Sequence, residues 1–134
     1  METILESPVI SKSWRNNQFI GLYAEFIVMQ QSIVDCKCSN RTNTFHLLCL
    51  HGNILPNQKL ELPRMQVKIT ESKEMGPLYI NKGKNDFFIY NNGAVRKLLD
   101  VLNMNFTSEL VGEKLKVYNN PKGYWVVDIN FIKS

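Results

Sequence analysis

Polar and apolar residues alternate along much of this chain. After Pro63, Met65, Val67 and Ile69 fall on one side while Gln66, Lys68 and Thr70 fall on the other. A period of two marks a half-buried strand. Leu115 and Val117 alternate with Lys114, Lys116 and Tyr118 in the same way. The stretch FIGLYAEFIVMQQSIV, Phe19 to Val34, also reads as a strand, because Gly21 weakens a helix and Ile27-Val28 favours extension. SNRTNT, Ser39 to Thr44, is a turn cluster that separates SIVDCKC from TFHLLCLHGNIL and predicts a hairpin. Leu78-Tyr79-Ile80 and FFIY flank the loop NKGKND as a second hairpin, with Gly83 at its tip and one of Phe87 and Phe88 expected in the core. A third, EKLKVYNNPKGYWVVDINF, turns across Asn119–Gly123. One stretch keeps a helical period. Val95, Leu98, Leu99 and Leu102 share a face of the segment Ala94 to Leu102, with Arg96, Lys97 and Asp100 opposite. Asn103 or Asn105 is expected to end that helix, and Ser108 to cap a short turn through Val111.

Strands, then one helix, then a closing hairpin predict a mainly β fold, an OB-like open antiparallel barrel with one short α-helix before the last two strands. The missing βαβ alternation argues against a doubly wound sheet. Val67, Ile69, Val95, Leu98, Leu99, Leu102, Leu115 and Val117 are the expected core. At 134 residues the chain fits one domain, with residues 1–17 as a polar lead-in and Gly76-Pro77 ending the strand after Pro63.

Composition narrows the chemistry. Residues 68–134 carry ten Lys/Arg against seven Asp/Glu, and residues 1–67 six against five, so the surplus of the net +4 lies in the second half. That permits a polyanionic partner without requiring one. The beginning has acids at Glu2 and Glu6 and no apolar run suited to secretion, and the longest apolar stretch, Phe26 to Met29, cannot span a bilayer; a cytoplasmic or nuclear protein with no membrane role is expected. Three cysteines, an odd number, fit a reducing compartment. Cys36, Cys38, His46, Cys49 and His51 are metal-ligand types within sixteen residues. Yet two thiols on one face of a strand sit about 6–7 Å apart, wide for one zinc, and His46 points away from Cys49 and His51; Cys36, Cys38, Cys49 and His51 could converge from the two hairpin arms only with a bulge. No metal and no cofactor are expected. Cys36, Cys49 and His51 offer a nucleophile and a base but no evident third group, and GKN at Gly83 to Asn85 lacks the first glycine and following helix of a phosphate loop. No catalytic residues are assigned, and the protein is not expected to be an enzyme.

Aromatic and basic residues interleave on two hairpins: Tyr79, Lys82, Lys84, Phe88 and Tyr90 on one, Lys114, Lys116, Tyr118, Lys122, Tyr124 and Trp125 on the other. Single-strand binders hold phosphates with Lys and stack bases on aromatic rings. In the segments FFIY, VRKLLDVLNM, SELVGEKLKVY and GYWVVDINF, residues 86–131 resemble small OB-like replication-module proteins of phages and mobile elements. That resemblance implies single-stranded DNA binding in replication or recombination. It also implies that Gly112 leads into the penultimate strand, with Leu110-Val111 plugging the barrel end, and Asn103 stands where that pattern has a helix-terminal glycine. The expected nucleic-acid-binding residues are Lys82, Lys84, Tyr90, Lys114, Lys116, Tyr118, Lys122 and Trp125, acting without strong sequence preference. The alternative is a protein-interaction module or inhibitor encoded by a virus or mobile element, whose face would be apolar at its centre and poor in lysine.

Overall fold

The computed structural model describes residues 16–37 and 44–130, with Cys36, Lys37 and Thr44 described by their backbone alone. β1 (Tyr23–Lys37) and β2 (Thr44–Ile54) form a long antiparallel pair, interrupted by a bulge between Val28 and Gln30. The bulge keeps both halves of β1 useful. Before it, Ala24, Phe26 and Val28 are buried; after it, Gln30, Ser32 and Val34 take the outward side, opposite His51, Cys49 and Leu47.

β3 (Met65–Ile69) pairs with the second half of β2, and β8 (Lys114–Asn119) with the first part of β1. β9 (Trp125–Val127) returns along β8 after a turn in which Asn120 Oδ1 accepts from the amides of Lys122 and Tyr124. β4 (Glu71–Ser72) continues β3 after Thr70 and meets β9 through one parallel pair, Ser72 with Val127. The sheet therefore curls from β3 through β2, β1, β8 and β9 back towards β4. It is the expected mainly β, open-barrel arrangement, with a single α-helix among the described residues, and one correction applies: this seam is parallel, so the sheet is mixed. Gly76-Pro77 does not end a strand either. It forms β5, folded back on β4, because Ser72 Oγ donates to the Gly76 carbonyl and accepts from the Met75 amide.

The far end of β1–β2 extends beyond the ring as an arm. β6 (Tyr79–Lys82) pairs with β2 there through His46–Ile80 and Leu47–Tyr79, and β7 (Phe87–Phe88) lies at the sheet edge on β6.

α1 (Ala94–Val101) buries Ala94, Val95, Leu98 and Leu99 against the barrel. Leu102 is its C-cap and only half-buried, a correction that follows from the helix ending one residue earlier than its apolar stripe. Asn103 closes it in the left-handed conformation, φ 58°, as expected. Ser108 does not cap the next turn (Thr107–Leu110). The Glu109 carboxylate accepts from the Asn105 and Phe106 amides, both at 3.0 Å. Leu110 is fully buried, whereas Val111 is 47% exposed and plugs nothing. Gly112, φ 93°, then turns the chain so that its amide donates to the Val28 carbonyl at 2.7 Å.

Two further expectations change. The first strand begins at Tyr23; Phe19 instead ends a short 3-10 turn (Asn17–Phe19) and packs on Trp125. Residues 1–15 and most of the Ser39–Thr44 turn lie outside the described residues, but Asn16 is no loose lead-in. Its amide donates to Gly123 O, its Oδ1 accepts from Trp125 Nε1 and its carbonyl accepts from Asn119 Nδ2. Val67, Ile69, Val95, Leu98, Leu99, Leu115 and Val117 are buried, as expected.

Candidate nucleic-acid interface

The structure separates the eight expected residues into three groups. On β8, alternation turns Leu115 and Val117 into the core and Lys114, Lys116 and Tyr118 outward. Register sets them against β1, Lys114 beside Ile27, Lys116 beside Glu25 and Tyr118 beside Tyr23. Tyr118 already has company: its ring centroid lies 4.9 Å from that of Tyr23, and Lys73 Nζ sits 5.1 Å over it. Lys73 also donates to Tyr23 Oη at 3.1 Å and approaches Asp128 Oδ2 at 3.9 Å. The bond to Tyr23 holds its ammonium above the usual lysine range, and the Asp128 and Glu74 carboxylates add to that effect. A base stacking on Tyr118 would have to displace this lysine. Lys122 is exposed in the β8–β9 turn.

Trp125 forms the second group alone, and it is a correction. The residue is 2% exposed, its ring packed on Phe19 and its indole N–H given to Asn16. β9 pairs with both β8 and β4 and all three of its residues are buried, so this indole has no face to offer a base.

Lys82, Lys84 and Tyr90 form the third group, on the arm. Here the fold supplies partners that alternation alone does not name. Phe45 and Leu47 of β2 project outward with Tyr79 of β6, and the rings of Phe45 and Tyr79 meet at 5.5 Å, tilted by 53°. Tyr79 is 40% and Tyr90 46% exposed. With Phe45, these two tyrosines line a groove of about 630 Å³ that runs between Met75-Pro77 and Asn91-Asn92 to the start of α1. The same three rings line a smaller hollow that reaches Asn81 and Lys82. The groove, bordered by neutral amides, and the hollow, bordered by an exposed lysine, thus share one aromatic cluster.

No protein-family model, curated protein or solved structure matches this chain.

Phe87 and Phe88 correct another expectation. Both are exposed, 45% and 55%, since β7 is two residues long and lies at the sheet edge. Phe88 lies over Gly83, where any side chain would collide with its ring, and Phe87 packs on His46. With Ile33, Ile80, Ile89 and Phe106, the last 68% exposed, they border an apolar cleft of about 220 Å³ on the other side of the arm.

The metal-ligand types do not converge among the described residues. Cys38 and the Cys36 side chain lie outside them. Cys49 is buried, its thiol pushed up by desolvation with Lys68 opposing, and His51 is held below the usual histidine range by burial and by Lys68. His51 Nε2 is 3.0 Å from Ser32 Oγ. A triad needs a group that orients the base, and the nearby Asp35 pairs with His46 instead, at 3.1 Å. Among the described residues no helix is long and apolar enough to cross a membrane.

Proposed function

We propose that this protein is a non-catalytic binder of single-stranded nucleic acid, serving replication or recombination. The observation that carries the reading is the groove in which Phe45, Tyr79 and Tyr90 stand together beside Lys82. Exposed aromatic faces next to a lysine are what a flexible, unpaired strand needs: bases stack, and phosphates meet cations. Lys84 extends the basic edge of the arm. Lys114, Lys116 and Lys122 give a second phosphate track on β8 and its turn, at the opposite end of β1. The register separates the tracks by the run from Ile27 to Val34, about 20 Å along the strand at ~3.3 Å per residue. A bound strand would be gripped at both ends of β1, with weak overall sequence preference.

The test is an anisotropy titration with a labelled oligonucleotide at two salt concentrations. Affinity should fall with a log–log slope of about −0.7 per phosphate neutralised. Lys82→Ala or Lys114→Ala should flatten the slope by roughly that amount, while Tyr90→Ala lowers affinity and leaves the slope alone. Wild-type protein that fails to bind at low salt refutes the reading. The second reading, a protein-interaction module, would then gain, since Phe87, Phe88 and Phe106 form an exposed apolar centre of the kind protein partners bury.

A further inference from the structure

The groove on the arm differs in kind from the lysine tracks. Phe45, Tyr79, Tyr90, Asn91 and Asn92 contribute to it, and none of its lining residues carries a charge. It is an open groove whose volume, about 630 Å³, lies in the size range of small-molecule sites. A phosphate finds no cation in it; a neutral heterocycle finds aromatic walls.

We propose that this groove seats a single base, with the carboxamides of Asn91 and Asn92 reading its hydrogen-bonding edge. One nucleotide of the bound strand is then selected for identity while the others are held through their backbone. This inference rests on the single-strand reading above and adds base selection to it.

Three features argue for it. First, Phe45 and Tyr79 pack ring against ring at 5.5 Å and both line the groove, so a base entering it meets an aromatic pair. Secondly, a carboxamide offers a donor and an acceptor side by side, the pattern that matches the edge of a base. Among the described residues neither Asn91 nor Asn92 has a side-chain hydrogen bond, so both amides are available. Thirdly, the hollow that shares Phe45, Tyr79 and Tyr90 with the groove is bordered by Lys82, a cation within reach of the phosphate next to a seated base.

The experiment compares labelled dT12, dA12 and dC12 with an abasic twelve-nucleotide backbone, by anisotropy at two salt concentrations. The best homopolymer should bind roughly ten-fold or more tighter than the abasic chain, at an equal salt slope. The homopolymers should differ among themselves by several-fold. Asn91→Ala/Asn92→Ala should erase those differences and keep the slope. Both positions are exposed and neither has positive φ, so alanine fits the turn, and an unchanged melting temperature verifies this. Tyr79→Ala and Tyr90→Ala should bring the best homopolymer down towards the abasic level. If the three homopolymers bind equally and all more tightly than the abasic chain, base selection is wrong and the single-strand reading stands; if the abasic chain binds as tightly as they do, the stacking that carries that reading falls as well. Base preference that persists in the double alanine variant also overturns the assignment to Asn91 and Asn92. Should no chain bind at low salt, both readings fall together.

Discussion

Gly52→Ala tests the fold where it is tightest. Gly52 faces Val28 across β1–β2, immediately before the bulge at Met29, and is buried. A methyl group there would lie 2.9 Å from Phe26 Cζ and 3.0 Å from the Ile27 carbonyl carbon, and would press still harder on the Ile27 carbonyl oxygen. Ordinary carbon–oxygen approach is about 3.3 Å or more, and that oxygen is backbone in the middle of a strand. Relief therefore means shifting β1, including the fully buried Phe26. Overpacking of this kind typically costs 1–3 kcal/mol or more, partly offset by about 0.4–1 kcal/mol from the stiffer unfolded chain. A net loss of about 2 kcal/mol lowers the melting temperature of a domain this size by roughly 7 °C. Urea unfolding followed by circular dichroism measures it, with the m-value unchanged. A variant as stable as the parent would show that the Ile27 carbonyl does not cover Gly52, and the bulged register of β1 on β2 would be wrong.

Leu98→Ala empties a fully buried position under α1 and should cost on the order of 2–5 kcal/mol by the same unfolding measurement. A cost near zero would mean that the helix packs on nothing. Trp125→Phe should destabilise the protein, because Asn16 Oδ1 loses its indole donor, but should leave the residual folded fraction binding oligonucleotide as the parent does, checked by active-fraction titration. The Asn105 and Phe106 amides hold the Glu109 carboxyl below the usual carboxylate range. A depressed pKa stabilises above the ordinary carboxylate pKa, and that contribution is lost as pH falls through the lower, folded value. Glu109→Gln should therefore make stability less dependent on pH in the acid range, measured as thermal midpoints across a pH series.

Local periodicity made the strands, the helix and most of the core readable, because burial on one side of a strand or helix writes itself into every second or every third and fourth residue. Leu115 and Val117 go in and Lys114 and Lys116 out whatever the neighbouring strands are. The candidate site was less readable for the complementary reason: a binding surface depends on which elements stand side by side. Trp125 and Tyr90 look alike in sequence, each an aromatic near a lysine-bearing turn. One lies on a strand enclosed between two others, the other just past the sheet edge. Tyr118 shows the same limit, since Lys73, which covers its ring, lies 45 residues earlier in the chain.

The arm makes the point from the opposite side. Phe45 and Tyr79 are 34 residues apart and become neighbours only because β6 pairs with the start of β2, a register no local pattern specifies. Yet part of the signal was present. In TFHLLCLH, Phe45, Leu47 and Cys49 share the side opposite Leu48 and Leu50, and both sides are apolar. A strand apolar on both sides needs cover on both or leaves one for a ligand. The barrel covers Leu48 and Leu50; outside, Phe45 receives Tyr79 and then the open groove. Two-sided hydrophobicity on a strand of a small barrel is therefore the observation that leads from sequence to this site, and it leads to the arm before it leads to the lysines.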